Sequence, residues 1–457
     1  MALVLVKGCS SRWVRLLFGL AALAMVSSAL AKKDDREPAV PAKSTGGISL
    51  SFSVNLPLES PEHEPGELLI LWHTAEEARV GRRWMQKRYG LAPVQVDQLN
   101  ALGLIMGQFK LGRSPSAQEI KKQLRQTHPR WVVDLNTRNS LLADSSTAAA
   151  APVPRLFALK QLGLSPTDDA SPTPMRLGVA DTAFELWTPL RVSRLVVHDV
   201  LGVGDVPAST EHGTAIARLI AGAPLTNGFS GVAQGVELFW ARTVRIADGQ
   251  PRSNTAIMTR AVNWLAEQGV TVINISQGGP GDDVLKEVFA RLVERPVLVV
   301  AAAGNSGPNA GPVFPAAYPG VLAVTAIDAD ANAYALANRG GYISLSAPGV
   351  DVWVPSTALD QNSGPMRGGQ YLSGTSFASA LVAGSLAYAD RNLWQASNGA
   401  RIARLCGSAR DLGEPGRDPV FGCGLLRLPR TEGQPSPAID RSSDRLRGLA
   451  TQTPRLR

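Results

Sequence analysis

Apolar positions in the larger, C-terminal part of the chain fall into short continuous runs that alternate with stretches of helical spacing. The runs are MRLGVAD (175–181), VELFWARTV (236–244), TVINIS (271–276), VLVVAAAG (297–304) and VLAVTAID (321–328). Helical spacing marks residues 254–269 and 284–294, and a further helix is predicted to begin near His212. Buried strands that alternate with helices predict an α/β fold, with a doubly wound, mostly parallel sheet covered by helices on both faces.

A shorter pattern precedes this one. Residues 66–72, 94–99, 104–111 and 130–136 have the composition of strands, and residues 74–90 and 116–128 that of helices closed by Gly90 and Pro129. The resulting order, βαββαβ over residues 66–137, is that of a small α+β domain of the ferredoxin-like type.

The segments around these two domains have a different composition. Residues 32–65 are polar and rich in Pro, Ser and Lys, which predicts a flexible leader. Residues 138–174 are rich in Ala, Ser and Pro and are interpreted as an exposed linker. The large domain is therefore placed at residues 175–430, and residues 431–457, which lack periodicity, are predicted to be a disordered tail.

The N-terminus has the features of a secretory signal peptide. Three basic residues precede a short apolar run at residues 16–26, and Ala29-Leu30-Ala31 follows it as a cleavage site. An uncleaved membrane anchor is the alternative, but the run is short for a membrane span. We expect residues 1–31 to be removed from an exported protein, periplasmic or extracellular, with no stable membrane span afterwards.

Charge and cysteine content narrow the classes of function. The net charge is +8 at pH 7, but the basic residues are scattered, which disfavours a nucleic-acid partner. Cys9 lies in the signal segment, so Cys406 and Cys423 remain as an even pair in an oxidising compartment. A disulfide between them is predicted, two buried thiols being the alternative, and the spacing gives no support for a metal site.

Four residues with complementary chemistry stand at predicted strand ends or helix starts, where sites form in doubly wound sheets. Asp181 ends a strand, Asn305 follows another, and Ser376 and His212 each begin a helix. A serine hydroxyl needs a base to become a nucleophile, and a carboxylate that orients that base. Of the large domain's two histidines, His198 lies in an apolar run and is interpreted as a packed core or edge residue, so His212 is the candidate base.

These residues lie in motifs that resemble those of the subtilisin-like serine proteases, the subtilases. The resemblance covers residues 175–428 and rests on eight motifs in the family's order: LGVADTAFE, HGTAIARLIAG, GVAQGVELFWARTV, VINISQGG, AAAGNSGP, FPAAYPGVLAVTAID, SAPGVDVW and GTSFASALVAG. A closing segment, ARDLGEPGRDPVFGCGLL, is also similar.

The resemblance implies an exported serine endopeptidase made as a precursor. Ser376 would be the nucleophile, His212 the general base and acid, Asp181 its orienting carboxylate, and Asn305 with the Ser376 amide the oxyanion donors. The segments implied to bind substrate are Ser276, Gln277, Gly278, Gly279, Ala302, Ala303 and Gly304.

The implied partners are polypeptide substrates and the chain's own N-terminal domain, which resembles the family's propeptide, an intramolecular chaperone and inhibitor. Self-cleavage is expected between residues 137 and 174, and the mature enzyme is expected to be a monomer. No cofactor is required for catalysis, and structural calcium is left open.

Three motif positions depart from the family pattern. Ala183 replaces a common glycine, Ala215 a frequent second histidine, and Ala380 the usual proline, while the four candidate catalytic side chains are unchanged. Gln277 is polar where the family often has an apolar residue, which predicts a less apolar pocket for the fourth substrate residue. Two alternatives stay open: a catalytically silent binding protein of this fold, and an esterase or amidase with the same triad.

Overall fold

The computed structural model of the chain describes residues 62–112, 115–142, 156–164, 175–225, 228–355, 369–389 and 391–428. The predicted signal peptide, most of the predicted leader and the predicted C-terminal tail lie outside these residues. No helix in the described part of the chain is both long enough and apolar enough to cross a bilayer.

The N-terminal elements form a small antiparallel sheet with two helices. In chain order they are β1 (His63–Trp72), α1 (Ala75–Tyr89), β2 (Gln95–Leu99), β3 (Leu104–Lys110), α2 (Ala117–Thr127) and β4 (Val132–Leu141). β1 lies between β3 and β4, and β2 pairs with the other side of β3. Thr74 caps α1, and Ser116 forms a capping box at the start of α2, so both helices begin within one residue of the predicted start.

The elements of the large domain follow. They are α3 (Phe157–Leu162), β5 (Arg176–Asp181), β6 (Arg194–Asp199), α4 (Glu211–Ala221), β7 (Glu237–Arg242), β8 (Arg245–Ala247), β9 (Gln250–Asn254), α5 (Thr255–Glu267), β10 (Val272–Ile275), β11 (Gln277–Gly278), α6 (Asp283–Val293), β12 (Leu298–Ala302), β13 (Leu322–Ile327), β14 (Leu345–Pro348), β15 (Val352–Pro355), β16 (Gly369–Leu372), α7 (Thr375–Ser385), a 3₁₀ turn (Leu386–Tyr388), α8 (Arg391–Trp394) and α9 (Asn398–Ser408).

The predicted parallel sheet is present. Within the described residues it has seven strands in the order β14-β13-β12-β10-β5-β7-β6, and every neighbouring pair is parallel. Alternate residues of β12 point to opposite faces: Leu298 and Val300 pack with α4 and α7, whereas Val299 and Ala301 pack with α5 and α6. Because both faces of the sheet are buried, consecutive residues of these strands are apolar.

β4 joins the small sheet to the large domain. Beyond its pairing with β1, it pairs antiparallel with β9 over Arg138–Ser140 and with β11 over Ser140–Leu141. Residues 138–142, the end of β4 and the residue after it, are called the cleft strand below. It runs along the groove between β9 and β11.

Two predicted boundaries differ from the structure. β1 begins at His63, inside the predicted leader, where His63 pairs with Thr137 of β4. β4 continues to Leu141, inside the predicted linker, because β9 and β11 supply backbone partners that local composition does not reveal. The predicted linker also contains α3, whose Phe157 and Leu162 are buried in the core of the large domain. The segment is therefore not wholly exposed.

The two remaining cysteines lie together. A disulfide joins Cys406, in α9, to Cys423, with 5.2 Å between the Cα atoms. It closes the turn-rich loop near the end of the described chain.

Candidate active site

Asp181 and His212 are in direct contact. Asp181 is the last residue of β5 and is completely buried, while His212 is the second residue of α4. His212 Nδ1 lies 2.7 Å from Asp181 Oδ1, which also accepts the backbone N–H of Thr182 at 2.7 Å. A carboxylate acceptor at Nδ1 favours the tautomer that carries its proton there, so Nε2 is left with a lone pair. Nε2 is buried and has no hydrogen-bond partner among the described residues.

A glycine allows this contact. A Cβ at Gly213 would lie 2.5 Å from the carbonyl oxygen of Ala183, so a larger residue would push α4 away from the turn that follows Asp181. The Gly213 N–H donates to Thr182 Oγ1 at 2.8 Å, which fixes the helix start against that turn. Ala183, which replaces the glycine common in the family, therefore does not prevent the contact between Asp181 and His212.

Ser376 is the second residue of α7, a helix in which every residue is buried. Its Oγ lies 2.5 Å from the carbonyl oxygen of Leu142 and 3.0 Å from that of Ser276. Its backbone N–H donates to the same Leu142 oxygen at 3.2 Å. The serine hydroxyl is thus directed to a carbonyl of the cleft strand, and no hydrogen bond joins it to His212 in the described structure. The His212 ring does lie at the start of α7, 5.8 Å from the ring of Phe377 between centroids.

Asn305 is held by the residue before Ser376. Its Oδ1 accepts the backbone N–H of Thr375 at 3.1 Å and the Thr375 hydroxyl at 2.9 Å. Thr375 Oγ1 in turn accepts the N–H of Gly304 at 3.1 Å. Because the amide oxygen is occupied, the orientation of the side chain is fixed and Nδ2 remains as a buried donor with no partner among the described residues.

The cleft strand lies in the groove as an extended chain. Leu142 N–H donates to the Ser276 carbonyl at 3.1 Å, Leu141 pairs with Gln277, and Ser140 pairs with Gly278. Glycine is needed at the next position, since a Cβ at Gly279 would lie 2.5 Å from the Arg138 carbonyl oxygen. The segment Ser276–Gly279, predicted to bind substrate, therefore contacts the extended backbone of the cleft strand.

The polarity of Gln277 predicted a less apolar substrate pocket, but the Gln277 side chain does not line the groove. It is 1% exposed, and its Nε2 donates to Thr243 Oγ1 at 2.5 Å, beneath the strand ends. The other predicted binding segment, Ala302–Gly304, ends β12 next to Asn305, with both alanines buried.

His198 lies apart from these residues. It is on β6, the edge strand of the large sheet, and stacks on Trp264 with 4.7 Å between ring centroids. Burial lowers the pKa of His198. Within the described residues, no group of three or more His, Cys, Asp or Glu side chains is arranged to hold a metal ion.

Sequence reasoning missed two parts of this site. Thr375, which orients Asn305, was visible only as the middle of the GTS tripeptide. Leu142 lies in a segment predicted to be a linker, and no local signal distinguishes it, because its position depends on the pairing of the cleft strand with β9 and β11 and on a hydrogen bond to Ser376, 234 residues away.

Comparison with known proteins gives one consistent result. A sequence model of the subtilase family matches residues 198–424. Subtilisin DY from Bacillus licheniformis is 31% identical over 226 residues, which cover 48% of this chain and 76% of that protein. Subtilisin Savinase from Lederbergia lenta is 31% identical over 254 residues, which cover 55% of this chain and 88% of that protein. The family match begins after Asp181, which is brought to the site by the geometry of β5.

Solved structures agree on the fold. Fervidolysin from Fervidobacterium pennivorans, described as a keratinolytic enzyme related to subtilisin, has a TM-score of 0.64 at 20% identity; the match covers 83% of this chain and 63% of fervidolysin. The epidermin leader peptide processing serine protease from Staphylococcus aureus has a TM-score of 0.56 at 17% identity, covering 79% of this chain and 96% of that one.

Proposed function

We propose that this chain, which belongs to the subtilase family and is a subtilisin-like serine endopeptidase, cleaves peptide bonds with Ser376 as the nucleophile. His212 is the general base and acid, Asp181 orients it, and Asn305 and the Ser376 backbone amide stabilise the oxyanion. The observation that carries this assignment is the Leu142 carbonyl, which meets both the hydroxyl and the N–H of Ser376.

The proposed reaction uses the Ser376 hydroxyl and the unpartnered Nε2 of His212. Ser376 Oγ attacks the carbonyl carbon while its proton passes to His212 Nε2, the unpartnered nitrogen. The imidazolium that forms is stabilised by Asp181, and it returns the proton to the amine as the C–N bond breaks. Water then repeats the sequence on the acyl-enzyme. In the precursor the Ser376 hydroxyl points to the Leu142 oxygen, so it must rotate towards His212 before attack.

Two donors are available for the oxyanion. The Ser376 N–H already binds a carbonyl oxygen at 3.2 Å, and it belongs to the first turn of α7, where the helix dipole favours negative charge. Asn305 Nδ2 is an unused buried donor that the Thr375 hydrogen bonds hold in one orientation. A donor that finds no partner in the ground state is suited to charge that develops only in the transition state.

Residues 62–142 are proposed to be the prodomain, a ferredoxin-like unit that inhibits the enzyme in cis. Support comes from the βαββαβ order and from the cleft strand, which occupies the groove that a substrate would need. Further contacts anchor the unit: Asn136 Oδ1 accepts the Ala256 N–H at the start of α5, and Asp134 accepts the Asp283 N–H at the start of α6. Both carboxamide and carboxylate satisfy otherwise unpaired helix N–H groups.

The bond cut during maturation is proposed to be Leu142–Ala143. The Leu142 carbonyl is the one at Ser376, and the Leu142 side chain lies 3.3 Å from where a Gly278 Cβ would be. A cut beyond residue 162 would remove α3, whose Phe157 and Leu162 are core residues of the large domain. Within the interval 137–174, cleavage on the N-terminal side of α3 preserves that core.

We also propose that the enzyme works outside the cytoplasm, in the periplasm or beyond. The signal-peptide pattern of residues 1–31 and the disulfide between Cys406 and Cys423 both favour an oxidising compartment.

The proposal is tested by expressing the full chain and its Ser376→Ala variant in a host that lacks other proteases. The wild type should yield a new N-terminus at Ala143, react with a fluorophosphonate at Ser376 and degrade casein; Ser376→Ala should stay uncut. Ser385→Ala is the matched control, because the Ser385 hydroxyl bonds only to the Leu381 carbonyl of its own helix among the described contacts.

The outcomes separate the alternatives. A wild type that is neither labelled nor cut is a silent binding protein, and one that is labelled and hydrolyses esters but not casein is an esterase. Equal processing of Ser376→Ala and wild type would refute self-cleavage.

A further inference from the structure

Arg138 is the first residue of the cleft strand and is held by two carboxylates. Its side chain is 4% exposed. Nη1 donates to Asp248 Oδ2 at 2.6 Å, and Nη2 donates to Glu64 Oε2 at 3.0 Å. Glu64 belongs to the N-terminal unit and leaves with it, whereas Asp248 belongs to the large domain and remains.

Asp248 lies in a tight turn beside the cleft strand. Asp248 and Gly249 form the two-residue turn between β8 and β9, with φ of 50° and 71°. Asp-Gly is a preferred sequence for such turns, which require positive φ at both residues. The backbone of the turn thus places the Asp248 carboxylate beside the cleft strand.

Strand pairing decides which side chain reaches this carboxylate. In the observed register Arg138 pairs with Asn254 and Ser140 with Arg252, while Leu142 places its carbonyl at Ser376. An extended substrate that makes the same backbone hydrogen bonds has the same register, because a shift by one residue would turn its side chains to the other face. Its fifth residue before the cut therefore takes the position of Arg138.

Neither neighbouring cation pairs with Asp248 among the described residues. Arg245 bonds to Glu64 and also lies 3.5 Å from Asp205, which stays beside it when the N-terminal unit leaves, and Arg252 Nη1 donates to the Ser140 hydroxyl at 2.8 Å. Asp248 has Arg138 as its ion-pair partner among the described residues, and its own side chain is 58% exposed. After the N-terminal unit leaves, Asp248 and Asp283 each lose an arginine partner, but Asp283 pairs with Arg125 of α2 and lies at the start of α6, so Asp248 is the one whose lost partner belongs to the cleft strand.

We propose that Asp248 forms a subsite for a cationic side chain, so that the enzyme prefers substrates with Arg or Lys at the fifth residue before the scissile bond. This inference rests on the proposed function, since it takes the Leu142 carbonyl as the position of the cut. The preference is moderate, because a half-exposed ion pair contributes up to about 1 kcal/mol, or about fivefold, and it weakens as salt screens the pair.

The test uses the enzyme matured from the full chain and peptides Xaa-Asn-Ser-Leu-Leu-Ala-Asp, the sequence of residues 138–144 with Xaa as Arg, Lys, Gln or Glu. The ratio of kcat/KM for Arg over Gln should be about five at low salt and fall towards one in about 0.5 M NaCl, and Glu should be cleaved more slowly than Gln. In Asp248→Asn, which keeps a residue suited to the turn, the Arg/Gln ratio should be close to one at low salt.

Asp199→Asn is the matched control. Asp199 is also a half-exposed carboxylate of the large domain, but it pairs with Arg242, so its removal changes the net charge equally and should leave the ratio at about five. A ratio of one in the wild type, or a ratio of five that survives Asp248→Asn, overturns the subsite while the endopeptidase assignment stands.

If none of the peptides is cleaved, the contact between Asp248 and Arg138 can be tested in the intact Ser376→Ala precursor by amide hydrogen exchange. Asp248→Asn should then raise the exchange of the amides of residues 138–142 several-fold, and Asp199→Asn should not. Equal exchange in the two variants would refute the role of Asp248.

Discussion

The Asn139 side chain, in the cleft strand, is buried without hydrogen bonds among the described residues. It is 1% exposed, and neither its amide oxygen nor its amide nitrogen has a hydrogen-bond partner among the described residues. A buried amide left unpaired costs about 1–3 kcal/mol. Asn136, three residues earlier in β4, is equally buried but fully used: Oδ1 accepts the Ala256 N–H at 3.0 Å, and Nδ2 donates to Glu67 at 2.7 Å.

Replacing each asparagine by leucine should therefore change stability in opposite directions. Asn139→Leu removes the unpaired amide and buries more apolar surface, against some crowding, so the free energy of unfolding should rise by about 1–2 kcal/mol. Asn136→Leu leaves the Ala256 N–H unpaired and removes a charge-assisted hydrogen bond to Glu67. The free energy of unfolding should therefore fall by about 3 kcal/mol.

The assay is urea unfolding of the full chain carrying Ser376→Ala, so that the N-terminal unit stays attached and no self-digestion occurs. In the active chain Asn139→Leu should also delay the appearance of activity, by about tenfold for each 1.4 kcal/mol gained by the bound state. If Asn139→Leu destabilises the protein as much as Asn136→Leu, the reasoning from unpaired groups is wrong.

Three further results are expected. Asn305→Ala should lower kcat for peptide hydrolysis by about 10²–10³-fold with little change in KM; a loss confined to KM would instead make Asn305 a binding residue. Burial raises the pKa of Asp282 to about 6, against hydrogen bonds from Thr255 and the Leu285 N–H, so its contribution to stability is largest below about pH 4 and is lost as the pH rises through 6. Urea unfolding should reveal a loss of about 3 kcal/mol across that range, and Asp282→Asn should flatten the profile. Replacing Cys406 and Cys423 by serine should lower the free energy of unfolding by about 3 kcal/mol, given a sequence separation of 17 residues, and unchanged urea midpoints would contradict this.

The fold of the large domain was predictable because its strands are buried on both faces. Runs such as 271–276 and 297–304 carry little polarity, and their lengths distinguish strands from helices. The positions of Asp181 and His212 followed from the same pattern, since strand ends and helix starts meet at one edge of a parallel sheet.

The parts that were not predicted depend on distant partners. The composition around α3 is typical of a linker, and only packing against the large domain buries Phe157. The cleft strand likewise has no strand signal of its own, because β9 and β11 provide its pairing. One local signal was available and unused: Asp248-Gly249, between two short polar strands, is typical of a hairpin turn.

The pairing of the cleft strand with both β9 and β11 has a consequence for what the enzyme can attack. A substrate bound there would be held largely by hydrogen bonds from its backbone N–H and C=O groups to β9 and β11. Those groups must therefore be unpaired on both edges of the substrate segment. In a folded protein, strands and helices already use these groups internally, so few stretches of five residues can enter. The susceptibility of a protein substrate should accordingly follow its local unfolding more closely than its amino-acid sequence. If the groove binds substrate as proposed, the enzyme should cleave unfolded chains in preference to folded ones, and its own folded domain should resist cleavage for the same reason.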